Sequence, residues 1–216
     1  MIPHWRNLFL LSALALAAST SPSALASGSF GNDNGNAAAT RPADPDFAKA
    51  EKALVAKDWP GAIDLLSRVV AKDTANADAY NYLGYMFADK GVRLPEALKL
   101  IRKAVDQEPM NGAYLDSLGW AYFKMGEYEM AEDNLRQAVE RDRTDPTVHD
   151  HLGDLYEKTG RIRQAAAQWE LSVAEYQKTP ALDQEPGDMS KVEHKLESAH
   201  VRLAKQDSAT GVGKPE

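Results

Sequence analysis

The chain contains no cysteine among its 216 residues. This absence excludes disulfide bonds, thiol chemistry and cysteine-ligated metal sites, and it also excludes a lipid attached through a cysteine. Positive charge is in deficit too, because the formal net charge is -7. A protein that binds nucleic-acid phosphates or an anionic lipid surface needs a basic face, so the sequence argues against both of these partner classes.

Long hydrophobic runs are also scarce. The apolar run over residues 8–18 is shorter than the roughly 20 residues that span a bilayer. Arg6 precedes this run, and Ala24 and Ala26 place small side chains where a signal peptidase reads them. We therefore predict a cleaved signal peptide over residues 1–26, in preference to a membrane anchor. The rest of the chain is expected in the periplasm or outside a bacterial cell, with no stable membrane anchor.

Two segments have the composition of unfolded chain. Residues 27–42 are rich in Gly, Asn, Ser and Ala, and such segments cannot bury enough apolar surface to fold alone. We predict a flexible linker there and a disordered tail over residues 206–216. Between them lies a chain that can bury a core, since 44% of the whole sequence is hydrophobic.

What the sequence does contain is an internal repeat. Leu-Gly pairs occur at residues 83–84, 118–119 and 152–153, so their glycines are 35 and 34 residues apart. A second glycine follows seven residues after the first in every copy, and three alanines recur at steps of 34, at Ala97, Ala131 and Ala165. A unit of this length is typical of two helices joined by a turn.

This pattern resembles the tetratricopeptide repeat (TPR) family, whose copies carry Leu-Gly, an aromatic residue, a turn glycine and small residues in the second helix. Residues 77–111 carry Leu83, Gly84, Phe87, Gly91, Ala97 and Ala104, and residues 112–145 carry Leu118, Gly119, Tyr122, Gly126, Ala131 and Ala138. Residues 146–180 carry Leu152, Gly153, Tyr156, Gly160 and Ala165, with Trp169 also in the second helix. The resemblance implies four units, at residues 43–76 (a degenerate copy), 77–111, 112–145 and 146–180. It implies an all-α fold, a right-handed TPR solenoid of antiparallel helix pairs.

The helix glycines predict a close approach of two backbones. Glycine inside a helix costs about 1 kcal/mol relative to alanine, so Gly119 needs a packing reason. We expect the second helix of the pair to cross over each such glycine, with Ala131 or its equivalents in the other units opposite. Helix N-termini are predicted at Asp44-Pro45 and Asp145-Pro146, where a capping side chain precedes a first-turn proline.

One more helix is predicted after the repeats. Residues 181–189 have the composition of a loop, and Ser190 with Glu193 forms a capping-box pattern. Apolar residues then follow at helical spacing. We predict a C-terminal capping helix over residues 190–205 that covers the exposed end of the last unit, as terminal repeats require.

The binding surface is expected on the first helix of each unit. A helix turns by about 100° per residue, which places Trp120 and Phe123 opposite Leu118 and Tyr122, toward a concave groove. The candidate partner-binding residues are Asp78, Asn81, Tyr85, Asp89, Asp116, Trp120, Phe123, Asp150, Asp154 and Glu157. Exposed aromatics with acidic neighbours suit a basic or amphipathic protein or peptide. The alternative is that Trp120 and Phe123 pack within the array.

The family resemblance also says which ligand is unsuitable. A well-known peptide site in this family grips a C-terminal carboxylate with Lys, Arg and Asn at inner positions. This chain has Asp116, Asp150 and Asp154 there, which would repel a carboxylate. Acidic peptide tails are therefore not the expected ligands.

No catalytic residue, metal site or cofactor is predicted. His149 and His151 are two residues apart and lie on different faces of a helix, whereas ligands on one helix converge at spacings of three or four. His149 is expected to be packed. The function predicted is a non-catalytic exported scaffold, and the resemblance to bacterial envelope TPR proteins implies an adaptor role in envelope proteolysis or assembly. A metal-assisted hydrolase using the two histidines and a self-assembling repeat array are the alternatives.

Overall fold

The structure, a computed structural model, describes residues 44–178 and 187–210. The predicted signal peptide, the linker and most of the predicted loop lie outside the described residues. Regular secondary structure in the described ranges is entirely helical, and its helices are α1 Pro45–Val55, α2 Trp59–Lys72, α3 Ala77–Asp89, α4 Leu94–Gln107, α5 Gly112–Met125, α6 Tyr128–Arg141, α7 Pro146–Lys158, α8 Ile162–Lys178 and α9 Asp188–Thr210. None of these helices combines the length and the apolar character needed to cross a membrane.

The helices form four antiparallel pairs stacked in chain order. Extensive contacts join α1 with α2, α3 with α4, α5 with α6, and α7 with α8, and α9 packs on α8. Each pair also packs on the next. The first helices contact one another from α3 to α5 and from α5 to α7, and Phe47 of α1 stacks on Tyr82 of α3. We call α1, α3, α5 and α7 the inner helices and their partners the outer helices. The all-helical repeat solenoid that the sequence predicted is confirmed.

Local signals set the helix ends. Both predicted caps are confirmed, because the side chain of Asp44 accepts the Asp46 N–H at 2.7 Å and that of Asp145 accepts the Thr147 N–H at 2.8 Å. Asn111 caps α5 in the same way. Each cap satisfies a backbone donor that would otherwise lack an intrahelical partner. The short turns that result keep the two helices of a pair in contact.

The helix glycines lie where outer helices approach closely. A Cβ atom on Gly119 would stand 2.7 Å from Leu135 Cγ and 3.0 Å from the Leu135 backbone nitrogen. At Gly84 the corresponding neighbour is Ile101, and at Gly153 it is Trp169. The predicted close approach is confirmed. At Gly119 the nearest atoms belong to Leu135, and at Gly84 they include the carbonyl oxygen of Ala97, the equivalent of Ala131, at 2.9 Å. Leu135 lies one helical turn after Ala131, and the absence of a side chain at Gly119 lets this turn of α6 approach α5 closely.

The C-terminal helix is longer than predicted. It begins at Asp188 and continues to Thr210, whereas the sequence predicted residues 190–205 and a disordered tail from residue 206. The tail prediction is wrong for residues 206–210, where an ion pair of 2.9 Å between Arg163 and Asp207 joins the last turns to α8. Val192 and Ala199 are buried against the last pair. The helix therefore covers the end of the array, in agreement with the capping role.

Candidate protein-binding surface

The inner helices share one continuous surface, joined by side chains that cross from each helix to the next. Tyr114 on α5 donates to Asp78 on α3 at 2.6 Å, and Lys124 donates to the backbone carbonyl of Asp89 at 2.9 Å. We call this surface, which carries the ten candidate residues together with Phe47 and Glu51, the inner face. The repeat places equivalent residues side by side along it.

Two rows of equivalent positions run along the inner face. The residue that follows Ala50, Gly84, Gly119 or Gly153 gives one row, and the residue three before those positions gives the other. The first row is Glu51, Tyr85, Trp120 and Asp154, and the second is Phe47, Asn81, Asp116 and Asp150. The first row is aromatic in the middle and acidic at both ends, whereas the second changes from aromatic to acidic along the array.

Trp120 is buried, contrary to the sequence prediction. Only 2% of its surface is exposed, because its ring stacks on His151 at a centroid distance of 4.0 Å and on Phe123 at 4.8 Å. Tyr85 is buried as well, and its ring lies 6.4 Å from that of His151. Phe123 is half-buried. The prediction that large aromatics are exposed is therefore wrong for Trp120 and Tyr85. The alternative, packing within the array, describes Trp120 and, through its stacking on Trp120, also Phe123.

Asp116 is also buried, and it binds a histidine of the next repeat. Its two carboxylate oxygens lie 3.0 and 2.9 Å from His151 Nδ1, and both residues are almost fully enclosed. A buried carboxylate needs such a donor, because removing it from water is costly. Asp116 thus holds α5 to α7 beneath the inner face.

We expect Asp116→Asn to lower the free energy of unfolding by about 1–2 kcal/mol. The amide oxygen can still accept a hydrogen bond from His151, but the assistance of the charge is lost. Urea denaturation monitored by circular dichroism measures the change. Asp106→Asn, on an exposed position of α4, is the matched control. Equal denaturation midpoints for the two variants would contradict the structural role of Asp116.

The acidic residues of the fourth unit are occupied by the C-terminal helix. Lys195 of α9 donates to Asp150 at 2.7 Å and to Asp154 at 2.6 Å. Further along the same side of α9, Arg202 donates to Glu157 at 2.7 Å. All three candidate carboxylates of this unit are therefore engaged within the chain, and a partner would have to compete with α9 for them.

This ion-pair cluster perturbs the groups within it. Burial, and then the neighbouring charge of Asp150, raises the pKa of Asp154 to about 6, although Lys195 opposes the shift. Burial disfavours the charge of Lys195, but Asp150 and Asp154 outweigh it and raise the pKa of the ammonium group. Lys195 therefore stays charged beside Asp150 and Asp154, and the pKa of Asp154 is about 6.

The remaining candidates lie toward the α1 end. Asp78 is exposed and Asp89 is half-buried. Asn81 is only 3% exposed, and its Oδ1 atom has no hydrogen-bond partner among the described residues. Partial desolvation of the carboxyl group raises the pKa of Asp78, against the effect of the hydrogen bond from Tyr114. Acidic groups are thus more accessible here than in the fourth unit.

His149 and His151 have separate surroundings. His149 is buried, with Nε2 3.1 Å from the Arg143 carbonyl and Nδ1 2.9 Å from Gln168 Oε1. The prediction that His149 is packed is confirmed. His151 instead faces Asp116. Across residues 44–178 and 187–210, no group of three or more His, Asp or Glu side chains is arranged to hold a metal ion.

Sequence reasoning missed Lys195, Arg202 and His151 as parts of this surface. A signal for the first two exists, because Lys195 and Arg202 are seven residues apart, as are Asp150 and Glu157. Residues seven apart lie on one side of a helix, so the two helices have matching charge spacing. No comparable sequence signal pairs Asp116 with His151, since their contact depends on how α5 and α7 are oriented.

Comparison with known families agrees with this architecture. Residues 47–112 match a tetratricopeptide repeat model and residues 119–160 match a TPR repeat model, and together the two matches span half of the chain. The chain belongs to the tetratricopeptide repeat family. Its fold is that of a scaffold for protein–protein interaction.

The individual relatives either have low sequence identity to this chain or match it over only part of their length. The TPR repeat-containing protein PA4667 of Pseudomonas aeruginosa is 44% identical over 68 residues, which are 32% of this chain and 12% of that relative's length. The solved structure of TTC0263 from Thermus thermophilus has a TM-score of 0.59 and 23% identity, covering 74% of this chain and 83% of that one. The solved structure of the Cut9–Hcn1 hetero-tetramer has a TM-score of 0.67 and 17% identity, and the likeness covers 76% of this chain and 31% of that one. Structural likenesses at identities this low support the fold alone.

Proposed function

We propose that this protein is a non-catalytic, exported TPR scaffold that binds a basic or amphipathic protein segment on its inner face. The observation that carries the proposal is the set of ion pairs made by α9, whose Lys195 and Arg202 bind Asp150, Asp154 and Glu157. In this way a helix with basic residues already docks on the carboxylates of the inner face. A partner helix or extended peptide with the same chemistry fits the carboxylates that α9 leaves uncovered.

The burial of the aromatics changes how the surface works. Trp120 and Tyr85 are buried beneath the inner face. The side chains available for contact with a partner are therefore Phe123, Asp78 and Asp89. Charged groups at an edge mainly set specificity and association rate. Selectivity for basic segments is therefore expected to come from the acidic edge, and apolar contact from Phe123.

Export and pathway are further parts of the proposal. The leader over residues 1–26 supports export to the periplasm or the outside of a bacterial cell. The resemblance to envelope TPR proteins supports an adaptor role in envelope proteolysis or assembly. In that role the protein would hold a client segment for another envelope protein and carry out no chemistry itself.

A peptide-display selection against the purified protein tests the binding function. We expect enrichment of peptides rich in Lys and Arg, with affinity at least about tenfold lower for Asp78→Lys/Asp89→Lys. The control, Asp106→Lys/Asp133→Lys, makes the same charge change on exposed positions of the outer helices. Fluorescence anisotropy of the selected peptides measures their affinity for each of the two variants. Enrichment of acidic peptides, or equal loss in the two variants, would refute the proposal.

A further inference from the structure

The side of α9 that faces the array repeats every seven residues. Five apolar side chains lie on this side, two of them buried and three packed against the same core: Val192 and Ala199, and Met189, Leu196 and Leu203. They occupy two positions of a seven-residue repeat, since the first two and the last three are each spaced by seven. Two apolar positions in every seven give a helix one narrow contact surface. We call this row of five residues the α9 stripe.

A basic residue flanks the α9 stripe once in each repeat. Lys195 and Arg202 are also seven residues apart, and each directly precedes an apolar residue of the stripe. The carboxyl groups of Asp150 and Glu157 on α7 have the same spacing and accept from these two residues at 2.7 Å each. A shift of α9 by one residue would move its side chains by about 1.5 Å and 100°, and it would break both ion pairs. The fourth unit therefore distinguishes where basic residues lie along a helix, in addition to its apolar stripe.

The α9 helix is held more loosely than the two helices of the fourth unit. Two of its residues 188–209 are buried, whereas α7 buries eight of its 13 residues and α8 buries six of its 17. Arg202 and Glu157 retain 46% and 40% exposure, and the pair of Arg163 with Asp207 is more open still. Water screens such pairs, so they stabilise little. Because elements with few buried contacts open at a lower free energy, we expect α9 to open before the fourth unit does.

A second helix with the same pattern would restore what the departure of α9 removes. Without Lys195, the carboxyl groups of Asp150 and Asp154 lose their shared cation, and two such groups disfavour each other's ionisation. The array would also expose the apolar surface on which Val192 and Ala199 pack. An incoming basic, amphipathic helix offsets both losses, whereas an acidic helix or a wholly polar helix does not.

We propose that α9 is a displaceable occupant of the fourth unit, and that the partner of this protein is an amphipathic helix with the pattern of α9. That pattern is an apolar stripe at two positions in every seven, with Lys or Arg directly before the first of them. The partner helix takes the place of α9 on Asp150, Asp154 and Glu157. The inference rests on the proposed function, which it deepens by naming the form of the bound segment and the element of the chain that competes with it.

A peptide with the sequence of residues 188–210 is the probe, because it carries the complete pattern. The peptide is labelled with a fluorophore, and its anisotropy is followed as the purified protein is added. In the protein variant Lys195→Met/Arg202→Met, the site is open in a larger fraction of molecules, so the apparent dissociation constant should fall at least about tenfold. The control variant Lys191→Met/Lys205→Met makes the same change at exposed positions of α9 and should leave the dissociation constant unchanged.

Two further measurements establish where the peptide binds. A peptide in which Lys195 and Arg202 are replaced by Met should bind at least about tenfold more weakly than the native sequence. In isotope-labelled, unmodified protein, saturating peptide should raise amide hydrogen exchange in α9 and leave exchange in α7 unchanged. Mass spectrometry separates the protein from the peptide by the isotope. This measurement needs no protein variant, so it tests displacement even where a substituted protein fails to fold.

Three outcomes would overturn the displacement. Equal dissociation constants for the unmodified protein and Lys195→Met/Arg202→Met would show that α9 does not compete with the peptide. Unchanged hydrogen exchange in α9 at saturating peptide would place the peptide on another surface. Dimers of the unmodified protein that the peptide dissociates, as measured by light scattering, would assign the site to α9 of a second copy.

Displacement of α9 and the proposed function can fail separately. Selected peptides that lose affinity in Asp78→Lys/Asp89→Lys but leave hydrogen exchange in α9 unchanged would uphold the binding function and refute displacement. Exchange of α9 with the peptide of residues 188–210, without any peptide enriched by selection, would uphold displacement and refute the wider binding surface.

Discussion

Gly119→Leu is expected to lower the free energy of unfolding by about 3 kcal/mol. The reason is the approach of α6, whose Leu135 backbone nitrogen would lie 3.0 Å from a Cβ atom at residue 119. Backbone cannot move aside as a side chain can, so α5 and α6 must separate. Because units in such arrays stabilise one another through adjacent contacts, the loss should spread to neighbouring units. Thermal and urea unfolding measure it.

Two comparisons separate steric crowding from other effects of the substitution. Glu140→Leu adds the same side chain at an exposed position of α6 and should change stability by less than about 0.5 kcal/mol. The loss of stability for Gly119→Ala should lie between those for Gly119→Leu and Glu140→Leu, because the better helix propensity of alanine offsets part of the crowding. If Gly119→Leu unfolded at the same urea concentration as the unmodified protein, the close-packing account of the repeat glycines would be wrong.

Lys195→Met is expected to lower stability by about 2 kcal/mol at pH 8 and by roughly half as much at pH 5. Removal of the ammonium group leaves Asp150 and Asp154 together without their shared cation. The side chains of Lys195, Asp150 and Asp154 retain 26%, 17% and 18% exposure, so water reduces the loss below that of a fully enclosed pair.

The sign of the pH dependence follows from Asp154. Its pKa in the folded protein, about 6, is above the ordinary value for aspartate, so the folded state holds this proton more tightly than the unfolded chain does. Its ionisation therefore removes stability as the pH rises through the interval between those two values. Lys195 lowers the pKa of Asp154, so its removal raises the pKa further and enlarges the loss above pH 6.

Urea denaturation of both proteins at pH 5 and pH 8 tests this expectation. Lys191→Met is the control, since Lys191 lies on the same helix in an exposed pair with Asp188 that contributes under about 1 kcal/mol. A loss for Lys195→Met that is the same at both pH values, or no larger than the control, would show that the cluster does not couple α9 to the array.

Much of the fold could be predicted because its determinants are local and repeated. Gly84, Gly119 and Gly153 recur at the repeat length, and Asp44 and Asp145 cap the helices that follow them. Such signals depend on neighbours within a few residues. The same reasoning placed the ten candidate residues on the inner helices correctly, because the period of a helix fixes which side a residue occupies.

What could not be predicted depends on contacts between distant parts of the chain. Trp120 was expected to be exposed, but His151 from the next unit lies on its ring. The acids of the fourth unit were expected to be free, but Lys195 reaches them from a helix that follows a loop. Periodicity gives the side of a helix on which a residue lies, and it does not show which other element covers that side.

The position of α9 also limits how copies of the protein could polymerise. An open filament needs two different surfaces on each copy, one to join the preceding copy and one to join the next. At the end where another inner helix would stack, α9 packs on α8 and is held by Lys195 and Arg202. With that end covered, a filament built by stacking the last pair of one copy on the first pair of the next would require α9 to leave its place.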